Sequence, residues 1–272
     1  METRGVPLTA CKASADFSLN GKVAIITGGG SGIGQAIALR FAAHGASIRI
    51  LDVNEDGAAE TCRRILANGG KATSRRCDVT NQGEVESVFA TVFAQERIHI
   101  LVNNAGVSHI GTVESTSEAD FDRLIRVNVK GFYNCLRAVV GHMRGHGGGV
   151  ILNMASIAGS TGLAERFAYS TTKGAVIAMT YSVARDYLPH NIRCNCISPA
   201  RVHTPFVDDY LHKNYPGRES EMFEKLSKSQ PVGRMAEPNE VASLALFLCS
   251  DEASFITGMD YPLDGGFFNL RG

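Results

Sequence analysis

Repeatedly along the chain, a short and mostly apolar run gives way to a longer segment with helical spacing. KVAIITG (22–28) precedes GIGQAIALRFAAHG (32–45), which Gly45 closes. ASIRILD (46–52) precedes EDGAAETCRRILANGG, and KATSRRCDV (71–79) precedes GEVESVFATVFAQE. HILVNNAG (99–106) leads to a helix from about Glu118 to Met143, and GGGVILNMAS (147–156) leads to one from about Ala168 to Leu188. NIRCNCISP (191–199) is a sixth strand; a helix at PNEVASLALFLCS and the strand GMDYPLDGG close the series. Strands apolar on both faces need helices on both faces, which means a parallel sheet. Right-handed crossovers then leave a doubly wound, Rossmann-type sheet as the simplest topology. The expected fold is α/β: a single-domain, mostly parallel seven-stranded sheet over residues 18–272, behind a flexible arm at 1–17.

The bulk properties exclude several classes of function. Lys plus Arg and Asp plus Glu both number 27, so no net field favours nucleic acid or an anionic membrane. No apolar run is long enough to cross a bilayer, and METRGVPLTACKASADFSLN lacks the apolar core of a secretory signal. The seven cysteines are scattered without a Cys-x-x-Cys, which suits reduced thiols and a cytoplasmic location. The eight histidines form no H-E-x-x-H, and no metal site is expected.

TGGGSGIG (27–34) lies between the first strand and the first helix. Glycines there allow a tight turn and let a helix N-terminus approach a pyrophosphate. The spacing Gly28-x-x-x-Gly32-x-Gly34 is one residue longer than the common dinucleotide fingerprint, and no Lys-Ser/Thr follows as in a nucleotide triphosphate loop. Asp52 ends the second strand, where a carboxylate accepts both ribose hydroxyls and repels a 2′-phosphate. Its neighbours Ser31 and Val53 are neutral, and Arg49, at an odd offset, points to the other face. The cofactor indicated is NAD. Asp78, ending the third strand, contacts the adenine amino group or caps the next helix.

Tyr169 and Lys173, in YSTTK, stand four residues apart and so share a helical face. Ser156 lies thirteen residues before Tyr169, at the carboxyl end of the fifth strand, where ligands of open α/β sheets bind. Asn128 is polar amid the apolar neighbours of FDRLIRVNVKGFY and could tie that helix to the site through water.

Taken together, TGGGSGIG, Asp52, Asp78-Val79, NNAG (103–106), Asn128, Ser156, Tyr169-x-x-x-Lys173 and SPARVHTP (198–205) resemble the short-chain dehydrogenase/reductase family from about residue 18 to 267. The resemblance implies a nicotinamide-dependent oxidoreductase, commonly a homotetramer, with a homodimer as the smaller alternative. Tyr169 would be the acid/base, Lys173 would hold the nicotinamide ribose, Ser156 would orient the substrate oxygen and Asn128 would support a water relay. Cofactor contacts would come from Gly28, Ser31, Gly32, Ile33 and Gly34, from Asp52, Val53, Asp78 and Val79, and from Asn104, Ala105 and Gly106. Tyr169, Lys173, Pro199, Val202 and Thr204 would complete them. One departure is Pro199-Ala200 in place of the family's usual Pro-Gly, which requires a negative φ at Ala200.

A free phenol, with a pKa of about 10, is a poor base near neutrality. Lowering it by about two to three units requires roughly 3 to 4 kcal/mol. One unit charge ~5 Å away supplies about 3 kcal/mol at an effective dielectric of about 20. Lys173 and an oxidised nicotinamide are the expected sources.

Selectivity should reside in VSHIGTVE (107–114), IAGSTGLAERFA (157–168) and the polar, aromatic-containing stretch from 203 to about 230, expected to be an irregular lid. Arg166 could clamp a carboxylate or pair with Glu165 on the surface. His109, Glu165, His203 and Tyr210 could meet sugar hydroxyls. The indicated partner is a small polar alcohol or ketone, such as a sugar, sugar acid or hydroxy acid. Two alternatives are a 3-oxoacyl-thioester reductase of the same family, which would normally take NADPH, and a non-catalytic dinucleotide-binding regulator, which has no need of Ser156, Tyr169 and Lys173.

Overall fold

The computed structural model describes residues 16–270, and its strands form one parallel sheet. They are β1 (Val23–Thr27), β2 (Ser47–Asp52), β3 (Lys71–Arg76), β4 (Ile100–Asn103), β5 (Gly149–Met154), β6 (Ile192–Pro199) and β7 (Asp260–Leu263), in the spatial order β3-β2-β1-β4-β5-β6-β7. The order reverses between β1 and β4, which opens a crevice beyond their carboxyl ends. The register Ala24↔Ile100 and Ile26↔Val102 holds the two central strands level there.

β1 is buried along its whole length, and its alternation sorts the core into two layers. Ala24 and Ile26 join one layer with residues of α1 (Gly32–Ala43), α2 (Glu55–Ala67) and, from the far end of the chain, the helix Pro238–Cys249. Val23 and Ile25 join the other with residues of α3 (Gln82–Phe93) and of the helices Gly131–Gly145 and Phe167–Tyr187. Phe41 and Phe89 are fully buried, one in each layer. Truncating either to alanine would cost about 3–5 kcal/mol.

The expected helix at 118–143 is interrupted. It consists of α4 (Glu118–Leu124), a π-helical turn (Ile125–Lys130) and α5 (Gly131–Gly145). A π turn inserts one residue into the helical ladder, and here it contains Asn128. α6 (Phe167–Tyr187) matches its expected span to within one residue at each end. The stretch after residue 203 is not irregular: it folds as α7 (Pro205–Asn214) and α8 (Glu219–Lys228), before α9 (Pro238–Cys249). Each is a ten-residue, mostly polar helix, and Pro216-Gly217 between them, with Gly217 at φ +79°, hides the helical period in the sequence. Pro205 opens α7 at its first position, where a missing N–H costs nothing.

Most of the expected arm, residues 1–15, lies outside the described residues. Phe17, its last residue, is docked rather than loose: its N–H donates to Glu252 Oε1 (3.0 Å) and its ring meets Phe247 edge-on. Ala200 is not among the described non-glycine residues with positive φ, so its methyl group is tolerated. Arg49 pairs with Glu96 (Nη2 to Oε2, 2.7 Å), away from Asp52. Among the described residues no helix is long and apolar enough to cross a membrane.

Candidate active site

The glycine loop is fixed by close approach. A Cβ at Gly34 would lie 2.1 Å from Gly28 O, and one at Gly28, where φ is +66°, would lie 2.8 Å from Ala105 Cα. Asn104 completes the contact, its Nδ2 donating to Thr27 O (3.2 Å) and Gly28 O (3.0 Å). Thr27 Oγ1 in turn accepts from Asn104 N (3.0 Å) and Ala105 N (3.1 Å). The turn after β4 is thus stapled to the turn after β1. Sequence reading missed Thr27, whose only signal is a hydroxyl ending an apolar strand.

The residues around this loop fit a dinucleotide. Ser31 makes no side-chain cap at the start of α1 and the first turn holds no acid, whereas Asn54, Asn81 and Ser117 cap α2, α3 and α4. Uncapped N–H groups with the positive end of the helix dipole suit a pyrophosphate. At Gly32 a Cβ would meet the Thr204 side chain, Cγ2 at 3.4 Å and Cβ at 3.6 Å, which brings the start of α7 to the loop. Ile33 is half-buried beneath it. Asp52 receives Gly30 N at Oδ2 (2.8 Å) and Asn54 N at Oδ1 (2.9 Å), so its carboxylate is held beside the loop, next to the exposed Val53. Arg76, level with Asp52 in the next strand, is engaged by Glu84 at 2.8 Å. Asp78 does not cap α3, a role taken by Asn81; its Oδ1 accepts from Thr80 N (2.9 Å). Val79 is buried, and its carbonyl accepts from Asn134 Nδ2 (2.7 Å).

Asn128, Ser156, Tyr169 and Lys173 converge at the carboxyl ends of β4 and β5. Lys173 is buried at 4 % exposure and reaches across to donate to Met154 O, 2.7 Å away, at the end of β5. Its Nζ is 5.7 Å from the centre of the Tyr169 ring and 5.6 Å from that of Phe132. Ser156, two residues past Met154, caps the 3-10 turn Ile157–Gly159 by accepting from Ala158 N (3.2 Å). Its hydroxyl also faces Pro199 O at 3.5 Å, and it opposes the upward shift of the Tyr169 phenol. Ser156 thus caps this turn at the carboxyl end of β5.

Asn128 is fully buried and uses its whole amide. Its Oδ1 accepts from Val107 N (2.9 Å), and its Nδ2 donates to Val107 O (2.8 Å) and Thr172 Oγ1 (3.0 Å). Thr172 Oγ1 donates to Tyr169 O (2.8 Å), so the π turn, the 104–107 loop and the start of α6 form one hydrogen-bonded unit. A Cβ at Gly106 would meet Asn128 Oδ1 at 3.3 Å and Lys173 Nζ at 3.7 Å. Thr172 is a second residue that sequence reading missed, lying inside the quoted motif as a small spacer.

Burial dominates the electrostatics of both groups. Burial pushes the Tyr169 phenol above its ordinary value, and the opposing influences are the Ser156 hydrogen bond and the Arg166 charge. Burial also pulls the Lys173 amine down, to about 8. In the chain alone, Tyr169 is therefore held protonated.

The remaining expected contacts divide. Arg166 immediately precedes α6, three residues from Tyr169, without capping it by its side chain, and its Nη1 donates to Glu165 O (2.9 Å), the backbone rather than the carboxylate. Glu165 adopts φ +56° and is exposed, and its carbonyl also receives Gly111 N (2.9 Å). His109 lies 3.7 Å from Asp120, with a buried Nε2 that has no hydrogen-bond partner. His203 is engaged elsewhere: Nε2 meets Asp208 Oδ1 at 2.9 Å and the ring packs edge-on against Phe223. Val202 is buried and bridges to Ala236, and Tyr210 is 3.4 Å from the Tyr215 hydroxyl. A cavity of about 510 Å³ lies at the opposite, amino ends of the strands, where Lys22 pairs with Asp251 and Arg193 donates to two backbone carbonyls.

Comparison with known proteins gives a consistent likeness. Residues 28–268 match a family model described as enoyl-(acyl carrier protein) reductase. Dehydrogenase/reductase SDR family member 6 of Xenopus laevis is 38 % identical, over 92 % of this chain and 98 % of that protein. L-sorbose reductase from Gluconobacter frateurii, solved with NADPH and L-sorbose, is similar with a TM-score of 0.89 and 31 % identity, covering 94 % of this chain and 100 % of the other. NAD+-bound xylitol dehydrogenase is similar with a TM-score of 0.85 and 34 % identity, covering 91 % and 99 %.

Proposed function

The chain belongs to the short-chain dehydrogenase/reductase family, and on that premise we propose that it is an NAD(H)-dependent oxidoreductase that interconverts a secondary alcohol and a ketone, or a hemiacetal and a lactone, on a small polar substrate. The observation that carries the reading is the convergence of Asn128, Ser156, Tyr169 and Lys173 at the carboxyl ends of β4 and β5, with Asn128 linked through Thr172 to Tyr169 O and Lys173 Nζ 5.7 Å from the Tyr169 ring. A binding module has no need of that set. Similar proteins act on sorbose and xylitol, which supports a polyhydroxylated substrate.

Bound nicotinamide supplies the hydride acceptor and, when oxidised, a positive charge. The Tyr169 hydroxyl, as phenolate, takes the proton of the substrate hydroxyl, while Ser156 Oγ holds the substrate oxygen in line with it. Lys173 Nζ keeps one proton on Met154 O and would offer the others to the nicotinamide ribose. Asn128 fixes the Val107 backbone and Thr172, so the start of α6 keeps its position as charge moves onto and off the phenol. Gly28, Ser31, Gly32, Ile33 and Gly34 would receive the pyrophosphate. Asp52 and Val53 would receive the adenosine ribose, and Asp78 and Val79 the adenine. Asn104, Ala105 and Gly106 would back that side, with Pro199, Val202 and Thr204 at the carboxamide.

NAD is favoured over NADP because the Asp52 carboxylate faces the ribose position and the guanidinium level with it is engaged by Glu84. One similar protein holds NADPH and another NAD+, so likeness alone supports either. We assign residues 18–272 to the dehydrogenase domain, with α7 and α8 as its lid. A homotetramer, or at least a homodimer, is favoured by the exposed Tyr133 on α5 and the exposed Phe167 and Tyr181 on α6.

The test is nicotinamide absorbance with NAD and NADP over sugars, sugar acids, hydroxy acids and one 3-oxoacyl thioester. The reading expects NAD-linked oxidation of a small polar alcohol. NADPH-linked turnover of the thioester alone would replace it with the thioester-reductase reading, and tight dinucleotide binding without turnover of any class would favour a regulator.

A further inference from the structure

The sequence offers His203 to a substrate hydroxyl, whereas the fold occupies its ring with three other parts of the protein. The residue stands at the root of the lid, directly before Thr204, whose side chain is what a Cβ at Gly32 would meet. Its backbone is pinned on both sides of Val202: His203 N donates to Ala236 O (2.8 Å), and Ala236 N donates to Arg201 O (2.9 Å). Val202 and Ala236 pack in the core layer that α9 shares with α1, the helix behind the glycine loop. The root of the lid is therefore fixed to the frame of the cofactor site.

From that root the ring reaches three helices. Nε2 meets Asp208 Oδ1 at 2.9 Å, in the first turn of α7. A carboxylate only accepts, so Nε2 carries the proton and donates. Nδ1 lies 4.0 Å from Glu237 Oε1 at the N-cap of α9, where Glu237 N is held by Glu240 Oε2 (2.8 Å). The ring packs edge-on against Phe223 in the middle of α8, with centroids 4.9 Å apart and planes at 76°. The two lid helices are also joined to each other. The Tyr210 and Tyr215 hydroxyls are 3.4 Å apart, His212 Nδ1 lies 3.5 Å from Glu219 Oε1, and Leu211 and Phe223 line one cavity of about 450 Å³. A second tie, from Arg201 Nε to Ser229 Oγ (3.0 Å), holds the far end of α8. An exposed ion pair by itself contributes little. His203 differs because one side chain makes both the bond to α7 and the ring contact to α8, so its loss loosens both helices from the root together.

We propose that His203 is a positioning residue for the reaction: its ring latches α7 and α8 to the frame of the cofactor site, so that substrate affinity depends on a side chain that touches no reacting atom. The inference rests on the oxidoreductase reading above, with α7 and α8 as the lid, and assigns the residue that holds the lid in place. Asp208 is the acceptor of the latch, Phe223 its apolar seat, and Glu237 faces the other edge of the ring.

The test uses NAD-saturated protein and the sugar, sugar acid or hydroxy acid that wild type oxidises fastest. In His203→Ala, kcat/KM should fall by about three- to tenfold, mainly through KM. His203→Phe keeps the contact with Phe223 and loses the bond to Asp208, so it should lie between wild type and His203→Ala. Asp208→Ala should lower kcat/KM in the wild-type background and hardly change it in His203→Phe, because the partner is already gone. Trypsin cleavage after Lys213 or Arg218, followed by mass spectrometry, reads the lid without turnover. It should be about threefold or more faster in His203→Ala than in wild type, with the urea midpoint of the whole protein little changed. KM and cleavage rate equal to wild type in His203→Ala, or effects of Asp208→Ala and His203→Phe that simply multiply, would overturn the proposal while leaving the oxidoreductase reading intact. Failure of that reading looks different: wild type would oxidise no substrate of any class, while the cleavage comparison would still decide whether His203 holds the lid.

Discussion

Lys173 Nζ stands 5.7 Å from the centre of the Tyr169 ring and donates a hydrogen bond to Met154 O at 2.7 Å. Burial holds this amine at about 8 in the folded chain, against about 10.4 when unfolded. Between those values the unfolded chain binds more protons, so stability rises with pH across the window and the penalty of burying the charge is complete below it. The shift corresponds to about 3 kcal/mol. Urea unfolding of cofactor-free protein should therefore show wild type gaining on Lys173→Met as pH rises from about 8 to about 10. Parallel pH curves would contradict it.

Asp52 both shapes the glycine loop, through Gly30 N and Asn54 N, and faces the cofactor ribose. Asp52→Ala removes a carboxylate that would oppose a 2′-phosphate. The ratio of kcat/KM for NADP to that for NAD should rise by about ten- to a hundredfold, equivalent to about 1.4–2.7 kcal/mol. An unchanged ratio would mean that another group selects the cofactor.

Asn128→Ala strands the N–H and carbonyl of Val107 and removes a donor to Thr172. Unsatisfied buried groups of this kind cost about 1–3 kcal/mol each, and a loss of about 2–4 kcal/mol in urea unfolding is expected. Turnover should fall by about tenfold or more, because the start of α6 loses its tether. Full kcat in a variant destabilised by that amount would separate Asn128 from the reaction and leave it a purely structural role.

Much of this arrangement was legible in the sequence because it depends on local period and on short spacings. The strand–helix alternation gave every strand, and the four-residue offset of Tyr169 and Lys173 predicted their shared face. What stayed hidden depends on contacts made across long separations. Thr27 matters because Asn104 and Ala105, on another strand, donate to it. Thr172 looks like a spacer until Asn128, forty-four residues earlier, reaches it. The π turn has no period of its own to read, and α7 and α8 are too short and polar to stand out beside Pro216-Gly217. The electrostatic role assigned to Lys173 assumed a full charge, whereas burial works against that charge.

The central claim is that the Tyr169 hydroxyl carries the proton. Tyr169→Phe removes that hydroxyl and leaves Lys173, Asn128 and the glycine loop in place. The decisive measurement is NAD-linked turnover of this variant with the best wild-type substrate, alongside its NAD affinity by calorimetry. The account predicts a fall in kcat of about a thousandfold or more, with cofactor affinity within about threefold of wild type. Retention of a substantial share of wild-type turnover would contradict it.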